Sequence, residues 1–206
     1  KNVPEILNRG GVKYYYHVRG SMDPALCWWK SPSGAKVLSY RDPRGYNGTI
    51  DCEYASFMPA ICKELGVDSL MAFYGVGDHG GGPTRRDLNR LLDMQTWPVY
   101  PKVLFSTCHA FFRDIETRFG DILPVRDTEM NSIFTGCYTS QSRIKMANRV
   151  GEATLGEAEL FSALASMETG YHYPTGKFAD AWERILFNQF HDILTGSGIR
   201  DTREYA

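Results

Sequence analysis

Two short stretches of this sequence combine residue types that could do chemistry. The first is the glycine-rich run 75–83, which has Asp78 and His79 at its centre. It follows an apolar run that predicts a strand, and α/β folds place catalytic groups in loops that leave the carboxyl ends of strands. Glycines let the backbone approach a ligand closely. Asp78 and His79 could therefore touch a substrate, although Asp78 could equally cap a turn.

The same run also matches the dinucleotide-binding pattern G-x-G-x-x-G over residues 75–80. Three features disfavour that interpretation. Pro83 and two extra glycines delay the next helix, Asp78 brings a negative charge to where a pyrophosphate would lie, and the next predicted strand ends at Ser106 without an acid for a ribose. A nucleotide-binding α/β protein stays an alternative, and a thermal shift on adding a nucleotide would favour it.

The second stretch is 188–198, a polar end to an otherwise apolar predicted helix. His191 stands beside Asp192, and a histidine with a carboxylate neighbour can serve as a metal ligand. Alternatively, His191 only complements the dipole at a helix C-terminus, with Gly196 as the stop. One histidine cannot make a zinc site, which needs about three protein ligands, and the other four histidines are scattered.

Three further side chains are candidates for binding a polar ligand. Trp28, next to Trp29, could form a wall on which a sugar ring stacks, or it could pack in the core of a hairpin. Arg19 and Tyr46 lie in or beside predicted loops, where each could bind a hydroxyl group. The alternative for both is a solvated or packing role.

Composition excludes several classes of protein. The 206 residues are 43% hydrophobic and carry a formal net charge of -1, which is typical of a globular protein and gives no indication of a nucleic-acid partner. No apolar run is long enough to span a membrane. The five cysteines are odd in number and lack a CxxC pair, so they favour reduced thiols and a cytoplasmic protein over a disulfide scaffold.

Strand and helix patterns alternate through the first two thirds of the chain. Strands are predicted at 12–18, 26–29, 36–40, 69–74 and 102–106. The second and third of these flank a turn at residues 31–34 and are predicted to form a hairpin. Helices are predicted at 4–8, at 52–65 with a kink or late start at Pro59, from Thr84 with Asp87 in a variant capping box, and at 110–119. This alternation predicts a parallel α/β sheet or barrel over residues 1–126.

Beyond residue 126 the pattern is helical. Helices are predicted at 141–167, with an apolar stripe from Ile144 to Ala165, and at 177–194. Two long amphipathic helices must bury their stripes, so residues 127–206 are predicted to form a small helical bundle.

Three ordered motifs resemble family 38 of the glycoside hydrolases, the α-mannosidases. Tyr74–Thr84 resembles the glycine loop of the bacterial and fungal branch. Gly136–Ser140, followed by Lys145 and Asn148-Arg149, is similar to the motif that opens the helical middle domain. Phe187–Gly196 resembles the most characteristic block of the family, and residues 1–11 resemble the helix downstream of its nucleophile segment. The resemblance covers essentially the whole chain.

The resemblance implies the later part of a parallel α/β barrel followed by a three-helix bundle, and a zinc-dependent retaining hydrolase of α-linked mannose. Of the ligands to one zinc ion, only His191 maps onto this chain; the others, and the nucleophile, are expected upstream of Lys1. Asp192 would hold sugar hydroxyls. Asp78 would be the acid/base, although His79 stands where animal members have a second acid. The fragment alone is then expected to be inactive.

A non-catalytic carbohydrate-binding or structural module on the same fold is the main alternative to an enzyme. A His-x-Asp motif upstream of Lys1, followed by an Asp before Phe-Gly, would favour the enzyme. The implied partner is an α-mannoside or a mannose-containing glycan, with no nucleic acid and no membrane, and a homo-oligomer of the full-length protein stays open.

Overall fold

The computed structural model describes residues 1–20, 22–77 and 80–205. The chain forms two compact units, residues 1–133 and 134–206, so the division falls a few residues after the position near 126 where the sequence pattern changes. Each unit has its own secondary structure. No helix among the described residues combines the length and apolar character needed to cross a membrane.

The first unit is a mixed α/β fold around a four-stranded sheet. Helix α1 (Val3–Arg9) precedes strands β1 (Tyr14–His17), β2 (Leu26–Lys30) and β3 (Lys36–Arg41), and the short strand β4 (Val125–Arg126) comes last. The order across the sheet is β1-β3-β2-β4. Strands β2 and β3 form the predicted hairpin and are antiparallel, whereas β1 pairs with β3 and β4 with β2 in parallel. The sheet is therefore mixed rather than parallel, and a barrel stays a prediction.

Two predicted strands, 69–74 and 102–106, do not join this sheet in the part of the chain that the structure describes. In these segments, side chains rather than a neighbouring strand donate hydrogen bonds to the backbone carbonyl groups. Tyr40 Oη donates to the Met71 carbonyl at 2.5 Å, and Tyr54 Oη donates to the Phe73 carbonyl at 3.0 Å. Gln95 Nε2 likewise donates to the Val103 carbonyl at 3.0 Å. Apolar composition alone predicted strands here, and composition does not provide a ladder partner.

Three helices follow the sequence signals closely in the first unit: α2 (Met58–Leu65), α3 (Arg85–Met94) and α4 (Cys108–Phe119). Helix α2 takes the late start, with Pro59 in its first turn where its missing N–H costs nothing. Thr84 caps α3 and closes the predicted capping box with Asp87. The structure thus confirms the three predicted helices.

Three apolar clusters lie in the described part of the first unit, and the two larger ones pack its helices. One packs the sheet against α4 and contains Leu26, Leu38, Tyr40, Val67, Phe111, Phe112, Ile115 and Leu123. The other packs the α2 and α3 region beneath the chain that leads into the glycine-rich run, and contains Ile50, Tyr54, Ala55, Met58, Leu91 and Met94. Burial of this apolar surface fixes the loops between the clusters.

The second unit is helical. A 3₁₀ turn (Thr135–Tyr138) precedes the 28-residue helix α5 (Ser142–Thr169), α6 (Thr175–Asn188) and the six-residue helix α7 (Arg200–Tyr205). Helices α5 and α6 approach closely at Gly151, where a Cβ would lie 2.7 Å from Ile185 Cδ1. The two predicted long helices are confirmed, whereas a three-helix bundle stays a prediction.

Two details of the helical prediction were wrong. Helix α6 ends at Asn188 rather than at about Leu194, and the chain continues in turns in which the Ile193 and Leu194 amides donate to the Phe190 carbonyl. The predicted stripe on α5 is not its packed face, since Val150 is 58% exposed and Phe161 is 66% exposed. The face against α6 includes Gly151 instead, because a residue without a side chain permits the closest approach.

Candidate functional site

The centre of the glycine-rich run, Asp78 and His79, lies outside the described residues, so their assignments stay predictions. The residues on either side are described. Gly75 bridges to Gly48 in antiparallel pairing, and Gly77 has a φ of 61°. A Cβ on Gly77 would lie 1.3 Å from Asn47 Oδ1. The chain around residues 47–48 therefore lies directly against the run, and Gly77 leaves room for that contact.

A buried carboxylate, Asp42, ties the same two segments together. It follows the carboxyl end of β3 and is 2% exposed. Asp42 Oδ1 accepts a bond from the Arg44 amide at 2.9 Å, and Oδ2 accepts from Tyr16 Oη at 3.2 Å and from the Phe73 amide at 3.4 Å. Burial raises the pKa of the Asp42 carboxyl. Asp42 thereby joins the loop 43–48 to the segment that enters the glycine-rich run.

The structure brings together two of the side chains predicted to bind hydroxyl groups. Arg19 Nη2 donates to Tyr46 Oη at 3.2 Å. Arg19 follows β1 and Tyr46 follows β3, and because these strands are parallel their carboxyl ends meet at one edge of the sheet. The exposed guanidinium and the phenol form a polar pair that can bond hydroxyl groups of a ligand.

His17 bonds the backbone of Arg19 and so helps to position this pair. The ring is 8% exposed, and Nδ1 lies 2.8 Å from the Arg19 carbonyl oxygen, to which it donates. Burial lowers the pKa of the imidazole, so His17 is held neutral, with a proton on Nδ1 for that bond. His17 thus fixes the backbone at Arg19. Sequence reasoning passed over both His17 and Asp42, although a polar residue at the carboxyl end of a predicted strand was a usable signal for each.

Trp28 lies in β2 and packs against the first apolar cluster. Its indole Nε1 donates to the Gly120 carbonyl at 2.8 Å, and Lys36 Nζ lies 4.3 Å from the ring centroid. These contacts occupy the indole nitrogen and one approach to the ring. Sugar stacking on Trp28 stays a prediction, and the function proposed below does not use it.

His191 and Asp192 lie in the turns that follow α6 and are open to solvent. Their side chains are 78% and 68% exposed, and His191 Nε2 lies 3.4 Å from Asp192 Oδ2. The Phe190 ring packs edge-on against the imidazole, with centroids 4.4 Å apart. An imidazole sealed in an apolar interior would have excluded metal binding; this one is accessible.

The turn that carries His191 is tied to the start of α5. Lys145 Nζ donates to the Leu194 carbonyl at 2.9 Å, and Ser140 Oγ donates to the Thr195 carbonyl at 3.0 Å. Gln189 Nε2 donates to Asn148 Oδ1 at 3.0 Å and to Glu152 Oε1 at 2.7 Å. Two motifs that are far apart in sequence, 136–149 and 187–196, therefore hold each other and fix the backbone on both sides of the imidazole.

The described residues hold part of a zinc site at most. No group of three His, Cys, Asp or Glu side chains is close enough to hold a metal ion in residues 1–20, 22–77 and 80–205. Protein zinc sites take three or four such ligands. His191 and Asp192 can offer an imidazole nitrogen and a carboxylate oxygen, which suits zinc in chemistry but is incomplete in number.

The close approach at Gly77 gives a prediction about stability. Changing Gly77 to alanine should lower the free energy of unfolding by about 1–2 kcal/mol from backbone strain at positive φ, plus a smaller cost because the exposed Asn47 side chain must move away from the new methyl group. Gly80→Ala is the matched control, since Gly80 has a φ of 70° but no described residue within 4 Å of a new Cβ. Urea unfolding should show the smaller loss for Gly80→Ala; equal losses would contradict the contact with Asn47.

Comparison with known proteins gives two adjacent family matches. The Glycosyl hydrolases family 38 N-terminal domain matches residues 1–133, and the Alpha mannosidase middle domain matches residues 132–206. The chain is 28% identical to human Alpha-mannosidase 2C1 over 99% of its own length and 20% of that protein. It is 30% identical to Alpha-mannosidase G of Dictyostelium discoideum and to Alpha-mannosidase of Saccharomyces cerevisiae, over 84% and 86% of its length. It spans only 16% and 18% of those two relatives.

Proposed function

The chain belongs to glycosyl hydrolase family 38, and on this premise we propose that it is part of an enzyme that cleaves α-linked mannose with retention of configuration. One observation carries the proposal: the two family domains follow each other without a gap, in residues 1–133 and 132–206. The relatives are named α-mannosidases, and the chain spans a fifth or less of their length. The complete enzyme, meaning a polypeptide that unites this chain with the remaining family segments, would do the chemistry.

Asp78 is proposed as the general acid/base. In retaining glycosidases one carboxylate attacks the anomeric carbon and a second carboxyl, about 5 Å away, protonates the leaving oxygen and later removes a proton from water. A carboxylate in a glycine-rich run suits the second role, because small residues let the sugar come close. The nucleophile is not assigned to any residue of this chain, and we place it in the rest of the complete enzyme.

The Arg19–Tyr46 pair is proposed to bind hydroxyl groups of the sugar. The geometry that supports this is the 3.2 Å bond between the two side chains at the carboxyl ends of parallel strands. Asp192 is proposed to accept bonds from further hydroxyls, which its 68% exposure allows. His79 is proposed to touch substrate beside Asp78.

His191 is proposed to supply one imidazole ligand to a zinc ion. Zinc would bind vicinal hydroxyls of the sugar and stabilise charge at them as a Lewis acid. The exposed ring and the bonds that fix the turn around it support this role for His191. The other ligands of the zinc ion would come from the rest of the complete enzyme, in keeping with the incomplete donor set of the described residues.

The proposal predicts that the 206-residue chain alone does not hydrolyse mannosides, because it places the nucleophile and most of the zinc ligands in the rest of the complete enzyme. The pure chain, assayed with an aryl α-mannoside and added zinc, should give no turnover above the uncatalysed rate. The complete enzyme should turn over, and proton NMR should detect the α-anomer of mannose as the first product. Zinc-dependent turnover by the chain alone would contradict the role assignments, and a β-anomer would contradict retention.

A further inference from the structure

A cavity in the helical unit is lined by arginines from three helices. It measures about 730 Å³ and lies among α5, α6 and α7. Four arginines line it, namely Arg143, Arg184, Arg200 and Arg203. The one carboxylate there is Glu204, among the described residues. None of these side chains has a part in the proposed hydrolysis.

The positive charge of this cavity is largely uncompensated. Arg200 Nε donates to Glu204 at 2.7 Å, which neutralises one cation. The guanidinium groups of Arg143, Arg184 and Arg203 have no carboxylate partner in residues 1–20, 22–77 and 80–205. Arg149 on the same helix α5, outside the cavity, pairs with Glu152 at 3.0 Å. The unpaired arginines therefore coincide with the cavity and are not a general feature of this unit.

Arg203 distinguishes this cavity from an ordinary solvated basic surface. Its Nε atom is buried and has no hydrogen-bond partner among the described residues. A buried N–H without an acceptor is unfavourable, and native structures nearly always satisfy such groups with protein, water or ligand. An oxyanion bound by the Arg203 guanidinium would accept a bond from this N–H once the side chain turns toward the cavity.

We propose that this cavity binds a small organic anion that carries a phosphate or a similar oxyanion group. Guanidinium groups match such oxyanions because their N–H groups form parallel, charge-assisted bonds to two oxygens. The volume suits a molecule larger than inorganic phosphate, since pockets for small molecules span about 300–1,000 Å³. Ile144, Ala147 and Ile185 give the cavity an apolar wall for the rest of the ligand.

The experiment is calorimetric titration of the 206-residue chain with inorganic phosphate and with glycerol 3-phosphate, at an ionic strength held constant with chloride. Both should bind, and glycerol should not. Arg184→Gln and Arg203→Gln should each weaken binding by about 10-fold or more, because each removes a charge-assisted contact. Arg149→Gln is the matched control and should leave affinity unchanged.

Several results would overturn the proposal. The first is that neither inorganic phosphate nor glycerol 3-phosphate gives a binding signal in calorimetry or raises the melting temperature of the chain. The second is a loss of phosphate affinity in Arg149→Gln equal to that in the cavity variants, which would mean that phosphate is attracted to the positive charge of the helical unit in general. Arg184 is exposed, so Arg184→Gln should fold even if Arg203→Gln does not; unchanged binding by a folded Arg184→Gln would also overturn it. None of these outcomes depends on mannosidase activity.

Discussion

Replacing Asp78 with alanine in the complete enzyme should lower kcat/KM for simple alkyl α-mannosides by about 10²–10⁴-fold, the usual contribution of a general acid. The leaving alkoxide of such substrates is a strong base, so bond cleavage needs a proton from Asp78. The measurement is steady-state kinetics on the wild type and the variant across a range of pH. The basic limb of the pH profile, which reports loss of the proton from the acid, should disappear in the variant.

A substrate series separates this role from a structural one. A dinitrophenyl mannoside releases a weakly basic phenolate that needs no proton, so the first bond cleavage should be nearly unaffected in Asp78→Ala. His79→Ala is the adjacent control and should alter KM more than the leaving-group dependence. An equal loss for all leaving groups would contradict the acid role of Asp78, and a steep leaving-group dependence in His79→Ala would transfer the role to His79.

Replacing His191 with alanine in the complete enzyme should reduce both bound zinc and activity. Residues that only orient a ligand are worth about 10–100-fold in metal affinity or activity, so loss of a direct ligand should exceed about 100-fold. Elemental analysis after dialysis should find less than one zinc per protein in the variant. Excess zinc should restore part of the kcat.

His172→Ala is the matched control for His191, because His172 is also exposed in the helical unit but stands in the loop between α5 and α6. It should retain full zinc content. Full zinc content in His191→Ala would assign the ligand elsewhere, and a loss of zinc in both variants would point to a general effect on the helical unit.

Local chemistry made much of the fold predictable. Thr84 and Asp87 began a helix as a capping pair, and the turn near Gly34 joined an antiparallel hairpin. The prediction of a strand at 69–74 was wrong because of contacts with residues that are distant along the chain. The carbonyls of this segment bond the hydroxyls of Tyr40 and Tyr54. Sequence patterns report propensity, whereas a ladder requires a partner strand.

The residues of the candidate site were likewise predictable in part. Arg19 and Tyr46 were selected from residue type and loop position, and the structure adds that they bond each other. The supporting residues His17 and Asp42 were missed, because their roles depend on contacts with backbone groups that folding brings close. Likewise, two motifs could be recognised separately, but only the structure connects Ser140 and Lys145 to the turn after His191.

The metal role of His191 can be tested most directly by X-ray absorption at the zinc edge, on the complete enzyme and on its His191→Ala variant. The account predicts nitrogen scattering from imidazole at about 2.0–2.1 Å from zinc, and a spectrum of the variant, reconstituted with zinc, that has lost one imidazole from this shell. Identical spectra for the two proteins at full zinc occupancy would contradict it.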